Sequence, residues 1–274
     1  MSKKVIQHSP LRILIPVFLL LSACTEADHR PAAELAASDT IRVLAYNIHH
    51  GEGMDELLDL GRIAELIRDV NPDLVSIQEV DSVADRTNQV DQAVELGRLT
   101  GMESRFGRFM SYQGGAYGMA LLSRLPIVSS TNYRLPDGTE PRTALAAIVE
   151  MPDTGALLRF IGIHFYETEE QRLAQAQKLE NYLDSDDKLP TILAGDFNSK
   201  PQTAVMDHLS ESWQVVDKGE DHFTFPSYDP AREIDFFLLQ PSGRFEILSQ
   251  RVLDEPVISD HRPLMIELVI RQSN

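Results

Sequence analysis

Between Gly118 and His164 the chain passes through three short runs of branched and apolar residues, 118–122, Thr143–Glu150 and Leu157–His164, with no helical spacing between them. Pro136-Asp137-Gly138 and Asp153-Thr154-Gly155 punctuate the runs as tight turns. Consecutive strands joined by tight turns are antiparallel, so this stretch commits the chain to a sheet. Five further runs, 41–46, 73–78, 190–195, 234–239 and Leu264–Ile270, read as strands by the same signs. Helical spacing appears in Leu60, Ile63, Ala64 and Ile67, ended by Asn71-Pro72, and in Val90, Ala93, Val94 and Gly97, stopped near Gly101. Leu173, Ala176, Leu179 and Leu183 mark a third helix, and Pro201 begins a short fourth that carries Val205 and Leu209. Pattern alone predicts a mixed α and β domain, built on two stacked sheets or one large one.

The N-terminus carries Lys3, Lys4 and Arg12, then an apolar stretch over 13–21, then Leu21-Ser22-Ala23-Cys24. That order reads as an export signal, since the apolar stretch is too short to span a bilayer comfortably. Leu-Ser-Ala-Cys resembles the lipobox of bacterial lipoproteins, which implies cleavage before Cys24 and lipidation of its thiol; the competing reading is a plain secretory signal. The expected address is the bacterial cell envelope, at the outer membrane or periplasmic face, with membrane contact through Cys24 and no protein partner. Residues 24–39, rich in Ala and charge, read as a flexible tether, and 40–274 as one domain. Cys24 is the only cysteine, so no disulfide staples the domain and its core must hold it.

Removing residues 1–23 from 274 takes away three bases and no acids, leaving 251 residues with 22 Lys and Arg against 42 Asp and Glu, a charge near −20. Such a body repels polyanions at long range and lacks a basic footprint, so nucleic acid is not favoured as a partner. A bound metal ion can reverse the field locally.

The apolar run 189–194 ends in Gly195-Asp196-Phe197-Asn198, which sets a carboxylate and a carboxamide just past a buried strand. Oxygen-only ligands suit Mg²⁺ or Ca²⁺, and no Cys or His stands in the run to build a zinc cage. Gly-Asp pairs also make ordinary turns, so specificity comes from the companions. These are Asn47 in Ala45-Tyr46-Asn47-Ile48, Glu79 in Ile77-Gln78-Glu79-Val80, Asp235 in Ile234-Asp235-Phe236, and Ser259-Asp260-His261-Arg262-Pro263. In order and spacing the segments resemble the endonuclease/exonuclease/phosphatase superfamily, which contains DNase I-like nucleases, abasic-site endonucleases, inositol polyphosphate phosphatases and bacterial sphingomyelinases. The resemblance runs over about residues 41–268. It implies an α+β, DNase I-like fold: a four-layer α/β/β/α sandwich of two mixed, largely antiparallel sheets, with the site at one open end.

Glu79 ends a strand expected to be buried on both sides, where a carboxylate must be paired or metal-bound. The resemblance makes it the principal metal ligand, with Asn47 and Asp260 nearby. Asp196 and Asn198 lie two apart, so in an extended segment both project to one side. The resemblance has Asp196 act on the attacking water and Asn198 donate to the developing phosphorane oxygen. Adjacent Asp260 and His261 point to opposite faces if extended. His261 can donate to a phosphoryl oxygen or take a proton from water, and Asp235 resembles the carboxylate that fixes its tautomer. His164 matches the family's second histidine, against the scissile phosphate; Ile163 stands before it where many relatives have Thr. Arg142 either grips a phosphate or makes a surface ion pair with Glu140, the two readings carrying equal weight. His49 and His50 read as polar loop residues, and Trp213 as packing.

The expected activity is a divalent-metal-dependent phosphoesterase, with Mg²⁺, or Mn²⁺ or Ca²⁺ in its place, hydrolysing phosphodiesters or phosphomonoesters by direct water attack. No Ser or Cys is placed as a nucleophile. The expected substrate is a small or lipid-linked phosphoester. The competing readings are an extracellular or periplasmic nuclease and, in another class, a non-catalytic binding lipoprotein.

Overall fold

A computed structural model of the chain describes residues 1–2, 40–183 and 188–271. The export signal, Cys24 and the tether lie outside the described residues, and all that follows concerns the unit Ala36–Asn274.

Two crossovers organise that unit. Strand β1 (Thr40–Asn47) leads through helix α1 (Leu60–Val70) into β2 (Leu74–Ser82), which lies parallel to β1 with Asn47 opposite Gln78. Later, β7 (Leu157–His164) leads through α3 (Glu169–Leu183) into a parallel β8 (Thr191–Asp196), with His164 opposite Asp196. Parallel neighbours need such a connection, whereas the hairpins of the chain pair antiparallel. The remaining strands are β3 (Glu103–Tyr112), β4 (Gly115–Ser123), β5 (Ile127–Arg134), β6 (Thr143–Glu150), β9 (Gln214–Val215), β10 (Asp235–Gln240), β11 (Phe245–Val252) and β12 (Leu264–Ile270). One six-stranded sheet has the order β11-β12-β1-β2-β4-β3, the other β5-β6-β7-β8-β10-β9.

Val43, Met119, Leu121, Phe160, Ala194 and Phe237 belong to a core shared by the two sheets. Outside the first sheet, Ile63, Ala64 and Ile67 of α1 and Leu96 of α2 (Gln92–Thr100) pack on Leu44, Val75 and Leu122. Outside the second, Ala176 and Leu179 of α3 and Val205 and Leu209 of α4 (Ala204–Ser210) pack on Ile161, Leu193 and Phe236. The result is the four-layer α/β/β/α sandwich that the resemblance implied. All three cores are built from residues 41–270.

The helix ends follow their side chains. Asp59 caps α1 by accepting from the N–H groups of Gly61 and Arg62, and Asn71, left-handed at φ 48°, closes it. Gly101 closes α2 at φ 70°, but the buried face of α2 differs from the expected one. Val94 is exposed, while Gln92, Ala93, Leu96, Gly97 and Thr100 face inward. Gln92 earns its burial by bonding Asp81 N–H and the His50 carbonyl.

Below the open end the sheets approach closely. Ser76 Oγ donates across the gap to the Ala194 carbonyl at 3.2 Å. A side chain at Gly195 (φ +142°) would put its Cβ 2.1 Å from the Ile163 carbonyl and 2.9 Å from Gln78 Nε2. Only glycine meets both the conformation and the contact. Gly195→Ala is therefore expected to lower stability in urea denaturation by about 3 kcal/mol; a change under about 1 kcal/mol would show that β8 shifts freely there.

Candidate active site

Antiparallel neighbours start where parallel strands end, so one edge of the sandwich gathers residues from both sheets. Asn47, His164 and Asp196 close β1, β7 and β8. Asp235 opens β10 directly opposite Asp196, and His261 precedes β12, whose Leu264 pairs with Ala45.

Glu79 arrives by a distortion. Strand β2 does not stop at Gln78 as expected but continues to Ser82, and its register on β4 jumps between Ile77 and Val80. Ile77 faces Ala120 and Val80 faces Gly118, so Gln78 and Glu79 together span the single residue between them. The bulge holds Glu79 at φ 57°, a conformation costing a non-glycine residue roughly 1 kcal/mol. It aims a half-buried carboxylate at the Asn47 amide, with Asn47 Nδ2 donating to Glu79 Oε1 at 3.1 Å.

Asn47 is the hub. Its Nδ2 also donates to Asp196 Oδ2 at 3.2 Å and lies 3.5 Å from His261 Nε2. Its Oδ1 accepts from the His49 N–H at 3.1 Å, and its backbone carbonyl accepts from Ser259 Oγ at 2.7 Å. The amide thus turns its nitrogen, not its oxygen, toward the acids, where a ligand role would call for the oxygen. Asp260 is half-buried and accepts from Ser259 Oγ at 3.3 Å; its peptide carbonyl accepts from Ser227 N–H.

Asp196 is almost wholly buried. Its Oδ1 accepts from the Asn198 N–H at 2.8 Å, which leaves Oδ2 to face Asn47, His164 Nε2 at 3.6 Å and His261 Nε2 at 3.7 Å. Burial first, then the charge of Asp235, push its pKa up to about 7, against the pull of His261 and the Asn198 and Asn47 donors. The segment beyond Asp196 is not extended as expected: Asn198 sits at φ 48°, which an Asn tolerates. Its Nδ2 donates to the Phe165 carbonyl at 2.9 Å, so only its second amide hydrogen is left for a ligand.

His261 Nδ1 lies 2.9 Å from Asp235 Oδ2, which also accepts from Thr224 Oγ1 at 2.5 Å. Burial lowers the His261 pKa, but the charges of Asp235 and Asp196 and the Asp235 hydrogen bond outweigh it and raise it to about 10. His164 goes the other way: burial first, then Arg142 and His261, hold it well below the usual imidazole range, so it is neutral. Its Nδ1 is buried with no hydrogen-bond partner. The site therefore pushes its two imidazoles in opposite directions.

Arg142 is buried rather than a surface residue. The expected Glu140 pair is present but not at the surface: Nη1 donates to Glu140 Oε2 at 3.0 Å, while Nε has no partner and the guanidinium lies 4.6 Å from the Tyr166 ring and 5.0 Å from that of Phe109. Arg172, half-buried, donates from Nε to Ser199 Oγ at 2.9 Å and feels the charge of Asp196. His49 and His50, both at positive φ, form the turn behind Asn47, and His50 is pushed down to about 4 by burial and by Arg86.

One atom each of Asp196, Asp235 and His261 lie within 4.8 Å of one another, a group able to hold a metal ion. Asp235 Oδ2, however, is already engaged by Thr224 and His261, which marks that pair as a proton-holding unit. Glu79 suits a hard cation better. Its one hydrogen bond is the Asn47 amide, and among the described residues it has no ion pair, so its charge is uncompensated.

Sequence reasoning missed Thr224 and Ser259, whose hydroxyls fix Asp235 and Asn47. It also missed Lys218, buried behind Asp235, with Nζ 2.6 Å from Glu233 Oε1 and 3.5 Å from the Phe236 ring centroid. Thr224 carried one available signal: a hydroxyl beside Phe225-Pro226, eleven residues before Asp235. Lys218 carried none.

With this geometry in hand, comparison with known proteins is informative. The sequence profile of the Endonuclease/Exonuclease/phosphatase family matches residues 44–261. YbhP of Escherichia coli K12, described as uncharacterized, is 27% identical over 244 residues, covering 84% of this chain and 96% of its own. Among solved structures, the human Nocturnin catalytic domain with bound sulfate anion superposes at TM-score 0.70 and 25% identity, covering 85% of this chain and 95% of that one. A mannosyl-6-phosphatase of Bacteroides thetaiotaomicron superposes at TM-score 0.69 and 21% identity, covering 84% of this chain and 100% of that one.

Burial first, partly offset by Glu233, lowers the pKa of Lys218 to about 8, from 10.5 when unfolded. Between these values the unfolded chain binds the extra proton, so stability rises with pH across that window. Relative to Lys218→Met, the wild type is expected to gain up to about 3 kcal/mol in urea melts between pH 7 and 10.5; a pH-independent difference would contradict it.

Proposed function

The chain belongs to the endonuclease/exonuclease/phosphatase family, and from that membership we propose that it is a divalent-metal-dependent phosphoesterase that hydrolyses a small or lipid-linked phosphoester by direct attack of water. The observation that carries the reading is the convergence of Glu79, Asp196 and His261 on the Asn47 amide, within 3.1, 3.2 and 3.5 Å. Those groups come from both sheets and from residues 47 to 261. A constellation this costly to bury has a chemical rather than a structural rationale.

Mg²⁺, with Mn²⁺ or Ca²⁺ as alternatives, is the proposed cofactor, held chiefly by Glu79 with Asp260 nearby, while Asn47, whose amide nitrogen faces the acids, orients Glu79 instead of serving as the ligand expected from the sequence. When bound it supplies charge neutralisation at the phosphoryl group. The protein's own groups do the rest. Asp196, with its pKa raised to about 7, is matched to accept a proton from water near neutrality. His261, kept protonated by Asp235, donates toward a phosphoryl oxygen as negative charge grows there. His164, its Nε2 3.6 Å from the same Asp196 oxygen that His261 faces and its pKa held low, is a second donor there. Arg142, with an unpartnered Nε, offers a guanidinium edge to the same phosphate. The bound sulfate of the Nocturnin catalytic domain supports an oxyanion in a fold of this shape.

The excess of acids over bases weighs against duplex DNA as the substrate. The address proposed with this activity is the cell envelope, supported by the basic, apolar and Leu-Ser-Ala-Cys order of the leader.

A panel of plasmid DNA, sphingomyelin, inositol phosphates and nitrophenyl phosphoesters with Mg²⁺ tests the reading. His261→Ala is expected to lower hydrolysis of the best substrate at least about 100-fold while a cooperative melt is kept. Wild-type rates in that variant would remove the mechanism. Calorimetric titration with Mg²⁺ is expected to show binding that Glu79→Gln abolishes; no binding by the intact protein would favour a non-catalytic scaffold.

A further inference from the structure

The loop that follows β9 brings a further guanidinium, that of Arg232, toward the site. Phe225 and Arg232 are joined by backbone hydrogen bonds in both directions, Arg232 N–H to the Phe225 carbonyl at 2.8 Å and Phe225 N–H to the Arg232 carbonyl at 3.1 Å. The loop between them is tied to the segment carrying His261. Ser227 N–H donates to the Asp260 carbonyl at 2.7 Å, and Ser227 Oγ donates to the carbonyls of Pro256 and Ser259 at 3.0 and 2.7 Å.

With the backbone so fixed, the Arg232 guanidinium lies 4.2 Å from the centroid of the Phe225 ring. That ring in turn lies 4.8 Å from the His261 imidazole. The imidazole meets the phenyl edge-on, at 60° between the ring planes, so the Phe225 ring is shared by the Arg232 guanidinium and the histidine that faces Asp196. A guanidinium stacked on a ring keeps its N–H edge open to a ligand. Arg232 is exposed, and among the described residues its side chain makes no hydrogen bond and no ion pair. Its neighbour Glu233 is taken by Lys218. In a chain with 42 acids and 25 bases, a guanidinium held against Phe225 without a carboxylate among the described residues can offer its N–H edge to an anion from outside.

The charge of Arg142 acts on His164, whereas Arg232 shares the Phe225 ring with His261, and the two histidines approach the same Asp196 oxygen at 3.6 and 3.7 Å.

We propose that Arg232 is a specificity-determining residue that binds a second anionic group, a phosphate or carboxylate, on the molecule whose phosphoester is cleaved. The preferred substrates are accordingly small phosphoesters bearing two anionic groups. The inference rests on the phosphoesterase reading above and narrows its substrate class.

The test compares kcat/KM of the full chain for a hexose monophosphate and the corresponding hexose bisphosphate at fixed Mg²⁺ and salt. The wild type is expected to prefer the bisphosphate, and added salt to erode the preference. Arg232→Gln is expected to reduce the bisphosphate-to-monophosphate ratio by roughly 10- to 100-fold, mainly through KM, with Arg232→Lys restoring part of it. Equal kcat/KM for the two esters in the wild type overturns the inference without need of any variant. So does an Arg232→Gln enzyme in which both esters suffer alike, which would make the Arg232–Phe225 contact a mere support for His261. A wild-type chain that hydrolyses no phosphoester at all would instead overturn the function proposed above.

Discussion

Negative charge taken out of water is the constraint around which this molecule is arranged. Asp196 and Asp235 are both buried and face each other at one ladder position of the second sheet, and Glu79 approaches from the first. An ionised carboxylate left alone in such surroundings costs several kcal/mol, and neighbouring ones aggravate each other. The compensation comes from donors on both sheets: the Asn47 amide, the His261 imidazole, the Asn198 N–H and the Thr224 hydroxyl. Because each donor belongs to a different stretch of chain, satisfying the acids fixes β1, β8, β10 and the approach to β12 relative to one another.

The same arrangement gives the mouth two characters. Glu79 and Asp260, the acids with least compensation, belong to the first sheet and the segment entering it. Arg142, Arg172 and Arg232 belong to strands, helix and loops of the second. A cation is welcome on one side and an anion on the other, and Asp196 with its two histidines lies where they meet. The phosphoester and divalent cation proposed above would match this polarity, although the chain as a whole is acidic.

How far this was legible in the sequence depended on position in the sheets. Thr143–Glu150, Leu157–His164 and Leu264–Ile270 are recognisable because central strands are covered on both faces and read as apolar runs. The strands that escaped, β3, β5, β9 and β11, are the four sheet edges. Ile-Val-Ser-Ser-Thr-Asn-Tyr-Arg in β5 is largely exposed, and such a polar segment looks like loop until a neighbour supplies its ladder. Residues at the ends of central strands, Asn47, His164 and Asp196, were visible as polar interruptions of apolar runs. Thr224 and Lys218 were not, because a hydroxyl or amine in an irregular segment acquires meaning only from what folds against it. Val94 in α2 shows the converse error, an apolar residue on the solvent side of a helix whose buried face includes a glutamine.

The bulge at Glu79 carries one more implication. Its φ of 57° is a conformation that glycine enters freely and glutamate does not. Replacing Glu79 by glycine would relax the backbone and remove an uncompensated charge in one step, so selection for a sturdier fold alone would favour that change. A glutamate here therefore costs backbone strain that glycine would not, in return for a carboxylate set at the rim of the sandwich.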